Sequence, residues 1–206
     1  MERISKKNRG KKNKMTEITW MQPYYDLILN KIPLDTDLLI DVGSGYGVLG
    51  YILSQTRDIA TMISVDPVKR YDQPFFKKQY NMTWAVFNKH EEFHVDVIVS
   101  TEMIEHMDKK DALLFLDEVK WRSRKVIIAT PYYFTEQEKY DENEFQSHRC
   151  SISVNEFKEK GYDVTLVGSF ITRFLIARVS YNPKLVNMLK LIGIKPTNII
   201  AEWKKK

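Results

Sequence analysis

The segment Asp41-Val42-Gly43-Ser44-Gly45-Tyr46-Gly47 sets three alternating glycines directly behind the short apolar run Leu38 to Val42. Glycines at 43 and 45 let the backbone turn sharply and let a ligand approach it with no Cβ in the way. The amides of such a loop, with the helix terminus that follows, can receive a carboxylate or a phosphate. A dinucleotide fingerprint, G-x-G-x-x-G, would need its third glycine at position 48, which is Val48, and no lysine follows as a phosphate-binding P-loop requires. An ordinary strand-to-helix turn is the alternative for a glycine run of this length.

Asp66 closes a second apolar run, Thr61 to Val65, and precedes the turn-forming Pro67. At the end of a second strand a carboxylate can accept two hydrogen bonds from a ribose diol. Taken singly it also fits a turn aspartate. Loop and acid together place an adenosine-like ligand across the sheet, without separating a nicotinamide from a sulfonium cofactor.

A third group is Glu102-Met-Ile-Glu105-His106, which follows the most apolar run of the chain, Val95 to Ser100. The sequence has four histidines, and an unperturbed imidazole titrates near neutrality, so His106 and His148 are the candidate bases. Either could instead orient a loop. Glu102, Glu105 and His106 also suit magnesium or manganese. Glu102 and His106, four apart, can share a helix face, with His148 arriving from a long loop. A salt-bridged helix start accounts for the same residues, and no metal ligand is assigned. Tyr132, Tyr133, Phe134, Tyr140 and Phe145 form either an aromatic acceptor wall or a small loop core.

These groups need elements to hold them. Apolar periodicity predicts a helix from Glu17 to Leu29, ending before Pro33. Strands are expected at Leu38–Val42, Thr61–Val65, near Thr83–Phe87, at Val95–Ser100 and at Lys125–Ala129, with a helix resuming from Val48 to Leu53. A helix capped by Asp108 would turn Ala112, Leu113, Phe115, Leu116 and Val119 inward. Residues 132–150 read as a lid or insertion. Ser153 and Glu156 have capping-box spacing for a short helix that Gly161 ends. Asp163–Val167 and Phe174–Val179 read as terminal strands, and Leu185, Met188, Leu189 and Ile192 as one more amphipathic helix.

Length and composition bound the rest. The chain has 206 residues, 43% hydrophobic and 29% charged, the balance of one globular domain, here residues 15–206. Residues 1–14 carry seven of the lysines and arginines against one acid, so they are expected to be a disordered basic arm. Although the formal charge is +5, the remaining body is near neutral and gives no general argument for gripping a polyanion. Cys150 is the only cysteine, which excludes an intrachain disulfide and suits a reducing cytoplasm. Neither a signal peptide nor a transmembrane segment is expected.

The segment Leu38 to Gly47 resembles the first motif of the class I, Rossmann-like S-adenosylmethionine-dependent methyltransferases, and Asp66 falls where their ribose-binding acid does. Val95 to Met107 resembles the strand-four segment of the small-molecule and quinone-type branches, and Ile128-Ala-Thr-Pro-Tyr the end of strand five. The resemblance covers about residues 35–180. It implies a doubly wound α/β fold in three α/β/α layers, with a mostly parallel seven-stranded sheet whose last strand is antiparallel.

The cofactor so implied is S-adenosylmethionine. Asp41, Gly43 and Gly45 would hold its amino acid end beside Tyr46. Asp66 would take the ribose, Pro67 or Val68 one face of adenine, and Phe87 with Asn88 the other, although Asn88 stands where the family has an acid. Thr101 and Glu102 would line the methyl-donor pocket. Glu102, Glu105 and His106 also resemble the metal site of the small-RNA terminal 2′-O-methyltransferases, which carry a second adjacent histidine where Met107 stands here. The Asp/Asn-Pro-Pro-aromatic tetrad of exocyclic-amine methyltransferases is missing.

Three functions are expected in descending order. The first is methyl transfer to a small-molecule, lipid-precursor or glycan-like acceptor, with His148, His106 and Glu102 as candidate catalytic residues. The second is metal-assisted RNA 2′-O-methylation, and the third a noncatalytic cofactor-binding subunit that uses the helix near Leu185 to Ile192.

Overall fold

The computed structural model describes residues 24–68, 72–137, 143–168 and 196–205. In chain order the elements are helix α1 (Tyr25–Lys31), strand β1 (Leu38–Val42), helix α2 (Val48–Thr56), strands β2 (Thr61–Val65) and β3 (Lys78–Tyr80), and helix α3 (Trp84–His90). Strand β4 (Val95–Thr101), helix α4 (Lys109–Arg122), strand β5 (Ser123–Pro131), helix α5 (Val154–Glu159) and strands β6 (Asp163–Gly168) and β7 (Pro196–Lys204) follow. Short 3₁₀ turns lie at Ile104–His106 and Glu144–Gln146.

The seven strands form one sheet in the order β3-β2-β1-β4-β5-β7-β6. Strands β1 to β5 pair in parallel, and β7 inserts antiparallel between β5 and β6. From β1 the chain winds outward through β2 and β3, then crosses back to β4. That reversal opens a crevice at the carboxyl ends of β1 and β4, where open α/β sheets bind ligands.

Alternating side chains divide the core between two faces. Ile40, Ile98, Val126 and Ile128 pack with Phe115 and Leu116 of α4 and Phe157 of α5. On the other face Leu39, Val97, Val99 and Ile127 meet Ile28 and Leu29 of α1 and Ile52 and Leu53 of α2. Helices on both faces make the three layers and explain why the central strands are apolar runs. The helix near Asp108 buries Ala112, Phe115, Leu116 and Val119, and Ser153 and Glu156 form the expected capping box.

Two segments differ from expectation. The stretch near Thr83–Phe87 is the start of helix α3, because Trp84 and Phe87, three apart, are its buried pair while Ala85 and Val86 face outward. The strand in that part of the sheet is the earlier, half-exposed Lys78–Tyr80. The antiparallel strand is Pro196–Lys204, whose continuous apolar run is the three buried residues Ile199, Ile200 and Ala201, with Glu202 between it and Trp203. The Phe174–Val179 strand, the Leu185 to Ile192 helix, the 1–14 arm and the start of the Glu17 to Leu29 helix lie outside the described residues. Among those described, no helix is long and apolar enough to cross a membrane.

Asp96 fixes the register at the amino ends of the central strands. Its Oδ2 accepts the Asp37 and Leu38 amides, each at 3.0 Å, and its Oδ1 accepts from Arg124 at 3.1 Å. Partial burial would raise its pKa, but these donors outweigh it and hold the carboxyl below its ordinary value. A depressed carboxylate stabilises the fold above its unfolded pKa and loses that contribution as pH falls through its folded one. Asp96→Ala is expected to lower the unfolding free energy by about 1–3 kcal/mol at pH 7. Urea denaturation at pH 7 and in acid, where the gap between the two proteins narrows, checks it.

Candidate functional site

The crevice at the switch point is a cavity of about 740 Å³, within the range of small-molecule sites. The glycine loop forms one wall. Gly43, Gly45 and Gly47 have φ of 74°, 53° and 73°, the left-handed region that glycine enters without strain. A Cβ on Gly43 would lie 2.3 Å from Met103 Cγ, whereas one on Gly45 would meet no atom within 4 Å. Gly43 is thus packed, while Gly45 borders open space facing the cleft. Asp66 ties this loop to β2: its Oδ2 accepts the Gly45 amide at 2.9 Å and its Oδ1 the Val68 amide at 2.8 Å. Carboxylate lone pairs beyond these two bonds stay available to a ligand hydroxyl.

Asp41 lies just behind that wall, only 1% exposed. Neither of its carboxylate oxygens has a hydrogen-bond partner among the described residues. Burial, then the Asp66 charge, pushes its pKa up to about 7. A buried, unpartnered carboxylate is costly in its ionised form unless a cation or donor meets it.

The other half of the cleft gathers residues from distant elements. Glu102 directly follows β4 with φ of 49°, the one positive φ outside glycine among the described residues. Such strain persists only where surrounding contacts over-determine it. Its amide donates to the Ala129 carbonyl at 2.9 Å, and its Oε1 accepts from Asn198 Nδ2 of β7 at 3.0 Å. Buried Glu105 accepts from Thr130 Oγ1 at 2.9 Å through Oε2, while its Oε1 has no hydrogen-bond partner among the described residues. Burial raises the pKa of both glutamates, and the Glu102 charge raises Glu105 further. The Tyr24 phenol is raised above its ordinary range by burial and then by Glu102.

His106 and His148 stand edge to face with ring centroids 4.8 Å apart. His106 Nδ1 lies 3.2 Å from the Ser147 carbonyl and His148 Nδ1 2.6 Å from the Thr135 carbonyl. A carbonyl only accepts, so each neutral ring carries its proton on Nδ1 and offers the Nε2 lone pair. Burial first, and His148 as well, lowers the His106 pKa, which keeps that ring neutral. One ligand atom each from Glu105, His106 and His148 lies within 4.8 Å of the others. This arrangement can take a proton or hold a hard divalent cation.

Among the sequence-predicted residues, Gly43, Gly45, Tyr46, Asp66, Pro67, Thr101, Glu102, His106 and His148 line the cleft. Phe87 and Asn88 do not. Because their segment is helical, Phe87 turns inward against Tyr80 and Phe93, and Asn88 Oδ1 and carbonyl accept from Arg122. Thr83, Trp84 and Ala85 form the wall there instead. Tyr132, Tyr133 and Phe134 are not on the wall, Phe145 is, and Tyr140 lies outside the described residues. Sequence reasoning missed Tyr24 and Tyr25 on the cleft wall and Asn198 on Glu102, which no motif marks, and the bond of Thr130, inside the strand-five motif, to Glu105.

No protein-family profile matches the sequence, and none of the curated proteins matches it. Solved structures do. A SAM-dependent methyltransferase from Archaeoglobus fulgidus superposes with a TM-score of 0.60 at 12% identity, covering 95% of this chain and 94% of that one. A cyclopropane-fatty-acyl-phospholipid synthase-like protein from Lactobacillus casei gives 0.57 at 10% identity, over 92% of each chain. The small RNA methyltransferase HEN1 gives 0.51 at 18% identity, over 90% of this chain and 25% of its own longer one. At these identities the likeness is one of architecture, and the chain has the class I, Rossmann-like methyltransferase fold.

Proposed function

We propose that this chain is an S-adenosylmethionine-dependent methyltransferase acting on an oxygen of a small acceptor. The observation that carries the reading is the Gly43–Gly47 loop fastened to Asp66 beside an unpartnered, buried Asp41. Those three features match the three polar ends of the cofactor's amino acid and ribose. The loop amides suit its carboxylate, Asp41 its ammonium, and Asp66 its ribose diol. S-adenosylmethionine supplies an electrophilic methyl group on a sulfonium. The chain's own task is then to align the acceptor for in-line attack and accept its proton. His148 or His106, each with Nε2 free of its proton, suits that second role, and Glu102 helps to shape the pocket.

The cleft as a whole is bordered by Asp66, Glu102, Glu105, Asp108, Asp111 and Glu118 against Lys89 and Arg149. That balance favours an uncharged small acceptor, a lipid precursor or glycan-like molecule included, over a long polyanion. A second reading, metal-assisted methylation of an RNA ribose, is favoured by the convergence of Glu105, His106 and His148 and by the architecture shared with HEN1. The donor set fits such an ion: Glu105 Oε1 is a buried oxygen with no hydrogen-bond partner among the described residues, and both imidazoles are held by carbonyls in the metal-binding tautomer. A cation bound there would polarise an acceptor hydroxyl.

Calorimetric titration with S-adenosylhomocysteine tests the cofactor class: saturable binding is expected, with none for NAD. Asp66→Ala should weaken that binding by about 10- to 100-fold, as expected for losing charged hydrogen bonds. Asp41 adds a pH signature. Its raised pKa means that the free protein binds a proton below about pH 7, which a ligand ammonium must displace. Affinity should therefore rise about ten-fold from pH 6 to pH 8, and Asp41→Asn should flatten the profile while weakening binding. For the second reading, manganese binding followed by electron paramagnetic resonance should be present and fall at least about ten-fold in His148→Ala, with S-adenosylhomocysteine binding unchanged. No manganese binding at millimolar concentration contradicts the metal-assisted route.

A further inference from the structure

The segment from Asn143 to Arg149 carries features that the proposed chemistry does not use. Phe145 lines the cleft yet leaves 47% of its surface exposed, an apolar ring on the same segment as His148. Two residues earlier, Asn143 accepts the Phe145 amide through Oδ1 at 3.0 Å. An N–H can only donate, so this bond fixes the orientation of the Asn143 amide. Its Nδ2 is buried with no partner among the described residues, and Asn143 is one of the residues that line the same cleft. A buried donor left unsatisfied costs about 1–3 kcal/mol, which a ligand oxygen or ring nitrogen would offset.

This turn is docked onto the Glu/His cluster. The Glu105 carbonyl accepts the Arg149 amide at 2.8 Å and the Cys150 amide at 3.1 Å, and the Ser147 carbonyl holds His106. Gln137 Nε2 donates to the Gln146 carbonyl at 2.9 Å, closing the turn from its other side. The ring and the donor are therefore held in a fixed relation to the groups that would take the acceptor's proton. A flat ring on Phe145 with a polar edge toward Asn143 meets both features most fully: a puckered sugar covers less of the aromatic face, and an acyl chain offers Asn143 no acceptor.

We propose that Phe145 and Asn143 form the acceptor subsite and that it takes an uncharged planar ring bearing a carbonyl or ring nitrogen. The ring stacks on Phe145, and Asn143 Nδ2 donates to its edge. The inference rests on assigning the Gly43 to Asp66 half of the cleft to the cofactor. A nucleobase and a free aromatic amide share the required chemistry.

The test titrates four probes into the full chain by saturation-transfer NMR, with and without saturating S-adenosylhomocysteine: uridine, 4-hydroxybenzamide, methyl riboside and methyl glucoside. Binding of uridine or 4-hydroxybenzamide, with neither glycoside binding, is expected, and whichever planar probe binds more tightly identifies the source of the ring. Phe145→Ala should weaken that probe about ten-fold and Asn143→Ala about five-fold, while the S-adenosylhomocysteine affinity of both variants stays within two-fold of the parent. The more conservative Phe145→Tyr should retain probe binding. Glycosides binding as well as planar probes, no probe binding at all, or unchanged affinity in Phe145→Ala would overturn the subsite. If S-adenosylhomocysteine itself fails to bind, the cofactor reading falls, and the titrations made without it still decide the subsite.

Discussion

The hydrogen bond from the Gly45 amide to Asp66 Oδ2, beside that from the Gly43 amide to the Val65 carbonyl, joins the two strand ends between which the site is built. Strand β1 delivers the glycine loop and β2 delivers the aspartate, and their parallel pairing from Leu38 with Thr61 to Val42 with Val65 brings both to one edge. A slip of one residue would turn Asp41 to the opposite face of the sheet and carry the loop away from Asp66. Everything that fixes register, from the Asp96 clasp at the other end of β1 to the two apolar layers, therefore acts on the site.

The second half of the cleft depends on a different constraint, the burial of Glu105. Its side chain is held by Thr130 and its carbonyl by the amides of Arg149 and Cys150, so one residue joins β5, the turn after β4 and the segment before α5. The strained Glu102 backbone and the orphaned Glu105 oxygen lie beside it. These features oppose folding locally, and a core buried on both faces of the sheet is what can sustain them. That expense is concentrated where chemistry would need a fixed carboxylate and two oriented imidazoles.

Much of the scaffold was legible in sequence because its signals are local. Strands β1, β2, β4 and β5 read as apolar runs closed by turn residues, and the loop and Asp66 follow them directly. The Trp84 helix was not legible: it is seven residues long, and its one buried pair cannot establish a period. Strand β7 was missed because its continuous apolar run, Ile199 to Ala201, is only three residues long, and its place between β5 and β6 depends on long-range pairing. In the site, Asp41, Gly43, Gly45 and Asp66 announced themselves by spacing. Tyr24 reaches the same cleft, and Thr130 and Asn198 reach its glutamates, only through tertiary packing. The arrival of His148 beside His106 was expected from residue type and the long loop, while the buried edge of Asn143 has no spacing signature.

The central claim is that the cofactor lies across the carboxyl ends of β1 and β2, with its reactive end turned toward Glu102 and the two histidines. A crystal structure of the chain with S-adenosylhomocysteine tests this most directly. The account predicts density along Gly43 to Gly47, with the ribose hydroxyls on Asp66, the ammonium paired with Asp41 and the sulfur facing the half of the cleft that holds His106 and His148. Ligand density elsewhere on the sheet, or a ribose that leaves Asp66 untouched, would contradict it.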